Sequence, residues 1–292
     1  MSKETQNKYL FNQIWNMSKK PKCLVFVSIN KTKIQGFAVL RYLHWDSKHL
    51  DKNMWQIAYL TAQGCYSETV RIKNGLLRGI LKYTGGMKNM HLSCKVDTSD
   101  ISTIHVLESS GFKLMDTIVT WLFKPDRSIP KFKNMFKVRG FQKKDLDSLM
   151  ELAKHSFSTN RFHLDPHIPN DNADRLYAEW VKNYCAGINK GKTRVIIAEG
   201  KNRIAGFLAY RLNEEMKRMS GYKIIGQGLM AVSPYAKGAA VSLVNATTKD
   251  VLLDYDFAEF DGLITNHEAI RIYEAFNFEI IRSKYTFHYF RK

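Results

Sequence analysis

The sequence predicts an α/β protein of the mixed α+β type, in which one module occurs twice and each copy has a central mixed sheet flanked by helices. Three observations predict this class. The chain contains an internal repeat, a polar segment separates the two copies, and the second copy runs from helices through antiparallel strands to a βαβ unit.

The repeat is clearest in two stretches of 19 residues, 24–42 and 194–212. Each reads as an apolar strand, a polar turn and a second strand with the pattern I-x-G-F-x-x-x-R, which predicts a β-hairpin. The pattern consists of Ile34, Gly36, Phe37 and Arg41 in the first copy and Ile204, Gly206, Phe207 and Arg211 in the second. The copies also end alike: from Leu107 and from Tyr273, each reads as the close of a helix, an aromatic strand, a turn and another strand.

The segment "KPDRSIPKFKNMF" (124–136) has two prolines, several charges and few apolar residues, as is typical of a linker. It sets the expected domain boundaries. We expect a degenerate first domain at 1–125, a linker at 126–137 and a complete second domain at 138–292.

The second copy begins with two stretches whose apolar residues recur at helical spacing, which predicts two helices. "QKKDLDSLMELAKHSF" places Leu146, Leu149, Met150 and Ala153 on one face, and "DNADRLYAEWVKNYCAG" does the same for Leu176, Trp180, Val181 and Tyr184. The hairpin follows, then the strand "YKIIGQGLMAV", a loop with a helix, the strand "FAEFDGLIT" and a last helix.

Composition excludes several classes. The 292 residues are 45% apolar, enough for sizeable cores, yet no apolar run of ~18 residues predicts a membrane span. The N-terminal stretch is charged and shows no signal-peptide pattern. The four cysteines lie far apart with no CxxC pair, which argues against a zinc site or a disulfide framework and suits the cytoplasm. We expect a cytoplasmic protein with no metal and no membrane association.

The net charge of +18 comes from 45 Lys and Arg against 27 Asp and Glu, scattered along the chain. General surface charge explains it best, attraction of small polyanions comes second, and nucleic-acid binding third. The two short basic tracts carry no interleaved aromatic residues that could stack on bases. We therefore expect no nucleic-acid partner.

The loop "SPYAKGAAV" (233–241) leads from a strand into a helix. Pro234 helps to end the strand, Gly238 permits an unusual backbone angle, and Ala239 and Ala240 let a ligand approach the main chain. Small residues at a helix N-terminus expose N–H groups that bind phosphate, and Lys237 adds a positive charge. A tight strand-to-helix turn explains the loop equally well, and neither a Walker nor a Rossmann pattern is present.

The helix "NHEAIRIYEAFNFE" (266–279) carries Asn266, Ala269, Ile270 and Tyr273 on one stripe. An Asn cap with a core Tyr explains this stretch, as does a ligand that lies along the helix.

Together, the loop pattern V-x-P-x-x-K-G-x-A and the helix pattern N-x-x-A-x-x-x-Y-E-x-x-x-F resemble the GNAT family of acyl-CoA-dependent N-acetyltransferases. The resemblance runs from about Val138 to the C-terminus and implies a tandem GNAT fold with acetyl-CoA as co-substrate. The loop Tyr235-Ala236-Lys237-Gly238-Ala239-Ala240 lacks the usual Arg or Gln and second Gly of the family, and Asn277 replaces the usual Gly of the turn after the helix. The expected cofactor-binding residues are Met230, Ala231, Val232, Tyr235, Ala236, Lys237, Gly238, Ala239, Ala240, Val241 and Asn266.

The resemblance also implies the chemistry. Loop amides would bind the pyrophosphate of coenzyme A, and Asn266 would contact the pantetheine arm. An amine would attack the thioester directly, a main-chain N–H near Met230 or Ala231 would polarise its carbonyl, and Tyr273 would protonate the departing thiolate. The first copy has Leu107 where the second has Tyr273, and its loop "TAQGCYSETVRIKNG" has no K-G-x-A match, so we expect it to lack activity.

The acceptor is suggested by residues 43–60, 156–166 and 173–183, which resemble the TDP-fucosamine acetyltransferase branch of the family. This implies transfer to the amino group of a nucleotide-linked amino-dideoxy sugar in polysaccharide biosynthesis. The expected substrate-binding residues are Asn160, Arg161, His163 and Asp165. Arg161 could pair with a nucleotide phosphate or form a surface ion pair, and His163 or Asp165 could draw a proton from the amine or simply form the turn before Pro166.

Two alternatives stay open. One is a GNAT enzyme for a peptide, a protein or a small amine; the other is a non-catalytic module of this fold that binds RNA or a protein partner. The identity of the general base and a homodimeric state are open as well.

Overall fold

The two copies of the repeat lie in two separate structural units. The structure, a computed structural model, describes residues 3–126, 130, 132–201 and 203–292, so part of the predicted linker 126–137 lies outside the described residues. Unit 1 comprises the described residues up to Thr117, with Leu164–Pro169 and Ser283–Lys292. Unit 2 comprises those of Ile118–His163 and Asn170–Arg282. Short segments of each half of the chain belong to the unit formed mainly by the other half. The domain boundaries expected from the sequence therefore stay a prediction.

Unit 1 is built on a mixed sheet in which one strand pair is parallel. Its strands are β1 (Cys23–Asn30), β2 (Lys33–Tyr42), β3 (Asn53–Ala62), β4 (Met90–Asp97) and the later part of the last strand of the chain, Glu279–Arg291. The order follows the chain, with β3 and β4 parallel and the last strand antiparallel to β4. Its helices are α1 (Lys3–Ser18), α2 (His44–Leu50), α3 (Tyr66–Thr84) and α4 (Ile101–Ser109).

Unit 2 repeats this plan with an added edge strand. Its strands are the later part of β5 (Lys113–Phe123), then β6 (Lys137–Gly140), β7 (Thr193–Glu199), β8 (Ile204–Leu212), β9 (Ile224–Val232) and β10 (Phe257–Leu263); β11 denotes the last strand, Glu279–Arg291. The order is β5-β10-β9-β8-β7-β6, and β9 and β10 are parallel. Its helices are α5 (Leu146–Ser156), α6 (Arg161–Leu164), α7 (Asn170–Ile188), α8 (Glu214–Ser220), α9 (Ala239–Asp254) and α10 (His267–Ala275), and a 3-10 helix covers Lys143–Asp145.

The two predicted hairpins are confirmed, and they share one irregularity. The register shifts between Ser28 and Ile29 in β1 and between Ala198 and Glu199 in β7. Each shift lies opposite the I-x-G-F pattern. A Cβ at Gly36 would lie 2.6 Å from the carbonyl oxygen of Thr61, and one at Gly206 would lie 2.9 Å from that of Ala231. Each glycine thus lets the next strand, β3 in unit 1 and β9 in unit 2, come close, which explains why both copies carry it.

The prediction of two short strands at the end of each copy is wrong. β5 and β11 each continue without a turn through the polar residues that suggested one. In β5, residues from Ile118 on pair with β10 in unit 2, whereas in β11 residues from Lys284 on pair with β4 in unit 1. Each half of the chain therefore supplies one strand to the unit built by the other half.

Each unit has its own apolar core. In unit 2 the core includes Trp121, Phe260, Tyr273 and Phe276, all at most 5% exposed. In unit 1 it is centred on residues of β2 to β4 together with α3 and α4. Among the described residues, no helix is long and apolar enough to cross a membrane. The four cysteines are free thiols.

Candidate active site

The main feature of unit 2 is a gap between its two parallel strands. β9 and β10 pair only at Phe257 with Ile224, Ala258 with Ile225 and Glu259 with Gly226. β9 runs on to Val232 and β10 to Leu263 with no further pairing between them among the described residues. The main-chain groups on this side of β9, including those near Met230 and Ala231, are therefore left without a strand partner and can bind an extended ligand.

A β-bulge begins at the same point. Between the pairs Ala209–Leu229 and Arg211–Gly226, β8 contributes one residue and β9 contributes two. Bulges bend a strand and increase its local twist, and they are common beside binding sites. This bulge gives a physical reason for the separation of β9 from β10.

Downstream of β9, the loop turns sharply into α9. The N–H of Ala236 donates to the Ser233 carbonyl at 2.9 Å, and the N–H of Ala239 donates to the Ala236 carbonyl at 3.0 Å. Gly238 then caps the helix with φ of +87°, an angle that favours glycine. The first intrahelical bond runs from Ser242 N–H to the Gly238 carbonyl, so the N–H groups of Ala240 and Val241 have no acceptor within the helix.

Free amides at a helix start are the groups that bind anions in proteins, as the sequence analysis expects here. Tyr235 is 78% exposed and Lys237 is exposed, whereas Ala236 and Ala239 are buried. The guanidinium of Arg203 lies 4.7 Å from the centre of the Tyr235 ring. Two positive charges and an exposed aromatic ring thus flank the start of α9, an arrangement that suits a phosphorylated nucleotide.

The other side of Gly238 is taken by the residue Met135. A Cβ at Gly238 would lie 2.4 Å from its sulfur. The N–H groups of Met135 and Phe136 donate to the Ser242 hydroxyl at 3.1 and 3.3 Å, so this segment is tied to the first turns of α9. The glycine is therefore required both by its backbone angle and by the close approach of a side chain.

Asn266 begins α10 as predicted. Its side-chain oxygen accepts from the N–H of Ala269 at 3.0 Å, and the residue is exposed. The capping role is therefore established by geometry, and contact with a ligand remains a prediction.

Tyr273 lies among aromatic rings next to the gap. Its ring is parallel to that of Phe260 on β10, with 6.1 Å between centroids, and lies 5.0 Å from both Trp121 and Phe278. Burial raises the pKa of its phenol well above the ordinary range. The ring therefore packs in the core of unit 2, and its role as an acid remains a prediction.

Glu259 was not singled out by sequence reasoning. It is half-buried and belongs to the last pair before β9 and β10 separate. Because side chains alternate along a strand, its side chain and that of Phe260 lie on opposite faces of the sheet. Burial raises its pKa; Arg282 counteracts this, and the negative charge of Asp261 adds to the rise. An acidic pair at i and i+2 in the apolar strand "FAEFD" was the signal that could have identified it.

The equivalent position in unit 1 holds a protein carboxylate. α3 is capped at Cys65, whose N–H donates to Glu68 Oε2 at 2.9 Å, and this bond holds the pKa of Glu68 below its ordinary value. A negative charge thus occupies the helix start where unit 2 leaves free amides. Leu107 is fully buried in the core. Unit 1 therefore has neither the free amides nor the tyrosine of unit 2 at these two positions.

Two of the predicted substrate residues form a local network instead. The Asn160 side chain accepts from the Phe162 N–H at 2.8 Å and donates to the carbonyl of Phe157. It also lies 2.8 Å from Nδ1 of His163, whose Nε2 is 2.8 Å from Asp174 on α7. Both side chains are at least nine-tenths buried, so they shape the turn that carries Arg161 rather than offering free groups themselves. Arg161 is half-exposed, with its guanidinium over the Phe162 ring.

Asp165, which the sequence analysis expects to bind substrate, is buried beside two histidines. Its side chain is 2% exposed and belongs to unit 1, whereas Asn160, Arg161 and His163 belong to unit 2. Burial alone would raise its pKa, but hydrogen bonds from His288 and His91 outweigh burial and hold the pKa far below the ordinary range. The substrate role of Asp165 therefore stays a prediction.

Comparison with known proteins first concerns sequence. No protein-family model matches the chain. The spore coat polysaccharide biosynthesis protein SpsD of Bacillus subtilis is 22% identical over 264 residues, which cover 88% of this chain and 84% of that protein.

Solved structures give a consistent result at low sequence identity. A GCN5-related N-acetyltransferase from Sphaerobacter thermophilus has a TM-score of 0.61 at 11% identity, and the match covers 96% of this chain and 85% of that protein's chain. A GNAT-family acetyltransferase from Colwellia psychrerythraea has a TM-score of 0.56 at 12% identity and covers 98% and 96%. A tandem GNAT protein from the clavulanic acid biosynthesis pathway has a TM-score of 0.54 at 12% identity and covers 92% and 84%. The chain therefore has the GNAT fold, as the sequence predicted.

Proposed function

We propose that the chain is an acetyl-CoA-dependent N-acetyltransferase and that its acceptor is the amino group of a nucleotide-linked amino-dideoxy sugar. The observation that carries the proposal is the gap between β9 and β10. It begins at Glu259, runs beside the exposed start of α9 and is next to Phe260, on which Tyr273 stacks. The gap, the anion-binding amides and the acid all come from unit 2.

These residues fit acetyl-CoA as a co-substrate. The diphosphate would bind the N–H groups of Ala240 and Val241, with Lys237 nearby as a counter-charge. The pantetheine arm would pair with the free main-chain edge of β9, and the thioester carbonyl would accept from an N–H near Met230 or Ala231.

Acetyl-CoA supplies the activated acetyl group, and two side chains of the protein accept and donate the protons. The acceptor amine, once neutral, attacks the thioester carbon to form the C–N bond, and Glu259 takes the proton that the nitrogen loses, directly or through water. The C–S bond then breaks, and Tyr273 donates its proton to the sulfur. A raised pKa suits both groups, because Glu259 becomes a stronger base and Tyr273 stays protonated.

Two observations support the nucleotide-linked sugar as the acceptor. Arg161 presents a planar, half-exposed guanidinium that can pair with a nucleotide phosphate. The relative from Bacillus subtilis is described as a polysaccharide biosynthesis protein, which is consistent with a saccharide acceptor. A cytoplasmic location and a homodimer remain part of this proposal.

The test is thiol release from acetyl-CoA with TDP-4-amino-4,6-dideoxyhexose as acceptor, beside a polyamine and a lysine peptide. Sugar-dependent release supports the whole proposal. Release with the amine or the peptide alone keeps the transferase and overturns the acceptor. If calorimetry detects no binding of acetyl-CoA, the enzyme proposal fails, and RNA binding with a steep salt dependence would then be measured.

A further inference from the structure

Unit 1 contains a buried cluster that the proposed reaction does not use. His91 on β4, His288 on β11 and Asp165 on the segment Leu164–Pro169 converge there. His91 Nε2 and His288 Nδ1 each lie 2.8 Å from the same atom, Asp165 Oδ2. One donor atom from each residue lies within 4.8 Å of the other two.

The sheet explains how the two histidines meet. β4 and β11 are antiparallel, with His91 opposite Phe290 and Ser93 opposite His288, so the histidines are diagonal neighbours on one face. Their rings are 4.5 Å apart and nearly perpendicular, at 78°. The opposite face of these strands belongs to the apolar core through Leu92, Cys94 and Phe287. The cluster is therefore separated from the sulfur of Cys94 by the sheet.

The charge of the cluster is the reason to look for a ligand. The side chains of His91, Asp165 and His288 are 0%, 2% and 2% exposed. No lysine or arginine within the described ranges forms an ion pair with Asp165, whose other oxygen accepts only from the N–H of His167 at 2.9 Å. A buried carboxylate needs a compensating cation, since an isolated charge in the interior costs several kcal/mol.

The donor set fits one class of cation. We infer that His91, Asp165 and His288 form a structural zinc site that joins β4, β11 and the segment Leu164–Pro169 within unit 1. Two imidazole nitrogens and one carboxylate oxygen are three of the four ligands of a tetrahedral zinc ion, and a water molecule completes the set. The depth of the site leaves no open position for a substrate, so the ion stabilises rather than catalyses.

Ligand atoms around a tetrahedral zinc at about 2.0–2.1 Å lie about 3.4 Å apart. Zinc binding would lengthen the two 2.8 Å contacts with Asp165 by about half an ångström and bring the two imidazole nitrogens, which lie within 4.8 Å, to the same spacing. Without zinc, the same three residues form a hydrogen-bonded network around Asp165 Oδ2. The experiment must distinguish these two states.

The decisive measurement is metal content. The full chain is incubated with Zn²⁺, dialysed against metal-free buffer and analysed by atomic emission, beside Asp165→Asn, His91→Gln and the control His155→Gln. His155 is an exposed histidine that pairs with Glu151 on the surface. We expect about one zinc per chain in the wild type and in His155→Gln, and less than a tenth of that in the two cluster variants.

Two results would overturn the site: a wild type that retains no zinc after dialysis, or equal zinc in all four proteins, which indicates binding at surface residues. Cobalt substitution covers the case in which the variants fail to fold, because it needs only the wild type. Visible bands of a tetrahedral N/O site without a sulfur-to-cobalt charge-transfer band support the assignment. Such a charge-transfer band would identify a cysteine ligand and refute it.

Discussion

Glu259 and Gly226 form the last pair between the parallel strands β9 and β10, and the two strands separate directly beyond them. A Cβ at Gly226 would lie 2.6 Å from the carbonyl oxygen of Glu259. The absence of a Cβ at Gly226 thus lets the strands come close at the residue that is the proposed general base. Any displacement of β10 would move this carboxylate together with the neighbouring Phe260 and the Tyr273 ring that stacks on it.

Glu259→Gln tests the proposed base. Loss of the proton acceptor should lower kcat by about 10²–10⁴-fold near neutral pH, because general-base catalysis contributes that much. The rate should recover partly at high pH, where the acceptor amine loses its own proton. The measurement is the pH profile of thiol release; equal activity of variant and wild type at pH 7 would exclude Glu259 as the base.

The neighbouring Asp261→Asn provides a matched control with its own expected result. Glu259 must be ionised to act, so activity falls as pH drops through its pKa, which burial and Asp261 raise. Removal of the Asp261 charge lowers that pKa. The acidic limb of kcat/KM should therefore shift to lower pH while kcat on the plateau stays within a few-fold of the wild type. A shift in the opposite direction would contradict the assignment.

Tyr273→Phe tests the acid. No hydrogen bond of its hydroxyl is found among the described residues, so the free energy of unfolding should change by less than about 1 kcal/mol. Turnover should fall by about 10²-fold or more with little change in the Kd of acetyl-CoA, since only the departing thiolate needs the proton.

Tyr210→Phe serves as the comparison for that variant. Its hydroxyl donates to Asp250 on α9 at 2.8 Å, and neither side chain has a role in the proposed proton transfers. This change should reduce stability by about 1 kcal/mol and leave turnover nearly intact. If Tyr210→Phe reduced kcat as much as Tyr273→Phe, the role of Tyr273 would be one of packing.

Ala240→Glu separates helix stability from ligand binding. A carboxylate in the first turn of α9 interacts favourably with the helix dipole, by about 0.3–1 kcal/mol. It also repels the diphosphate of the co-substrate, as Glu68 would at the start of α3. We expect the Kd of acetyl-CoA to rise by tenfold or more without loss of thermal stability. The neutral Ala240→Gln should retain most of the affinity, and an equal loss in both variants would implicate size instead of charge.

Gly238→Ala tests the loop conformation against Gly191→Ala. Both glycines have positive φ, +87° and +64°, so alanine should cost each variant about 1–2 kcal/mol of stability. Only at Gly238 does the new methyl group meet another side chain, that of Met135, whereas the space around Gly191 is open. Binding of acetyl-CoA, measured by calorimetry, should weaken in Gly238→Ala and stay unchanged in Gly191→Ala. Unchanged binding in both would separate this turn from the cofactor site.

Local patterns carried most of the fold. The two hairpins and the start of α10 depend on neighbouring residues, and each was predicted from turn residues, periodicity or a cap. The last strands of the two copies were misread because polar residues near Thr117 and Arg282 looked like turns. They mark instead the places where β5 and β11 change from one unit to the other, a property that no local pattern contains.

The candidate site also contains residues that local sequence motifs identify and residues that only the fold identifies. Gly238, Asn266 and Tyr273 belong to contiguous motifs and lie where the sequence suggested. Asp165 was assigned to the substrate because it stands beside Arg161 and His163, yet its partners are 74 and 123 residues away along the chain. Glu259 was overlooked since its importance depends on where two strands part, which only the three-dimensional structure reveals.

The exchange of strands also affects how the protein can be made. During synthesis, β4 emerges long before its partner in β11, so the edge of β4 must wait unpaired while the ribosome adds almost two hundred further residues, at about 5–20 per second. Unpaired edges of this kind invite association between nascent chains. The first half of the chain therefore cannot complete its sheet before β11 has been synthesised, and we expect its native structure, and that of any fragment limited to it, to depend on that strand.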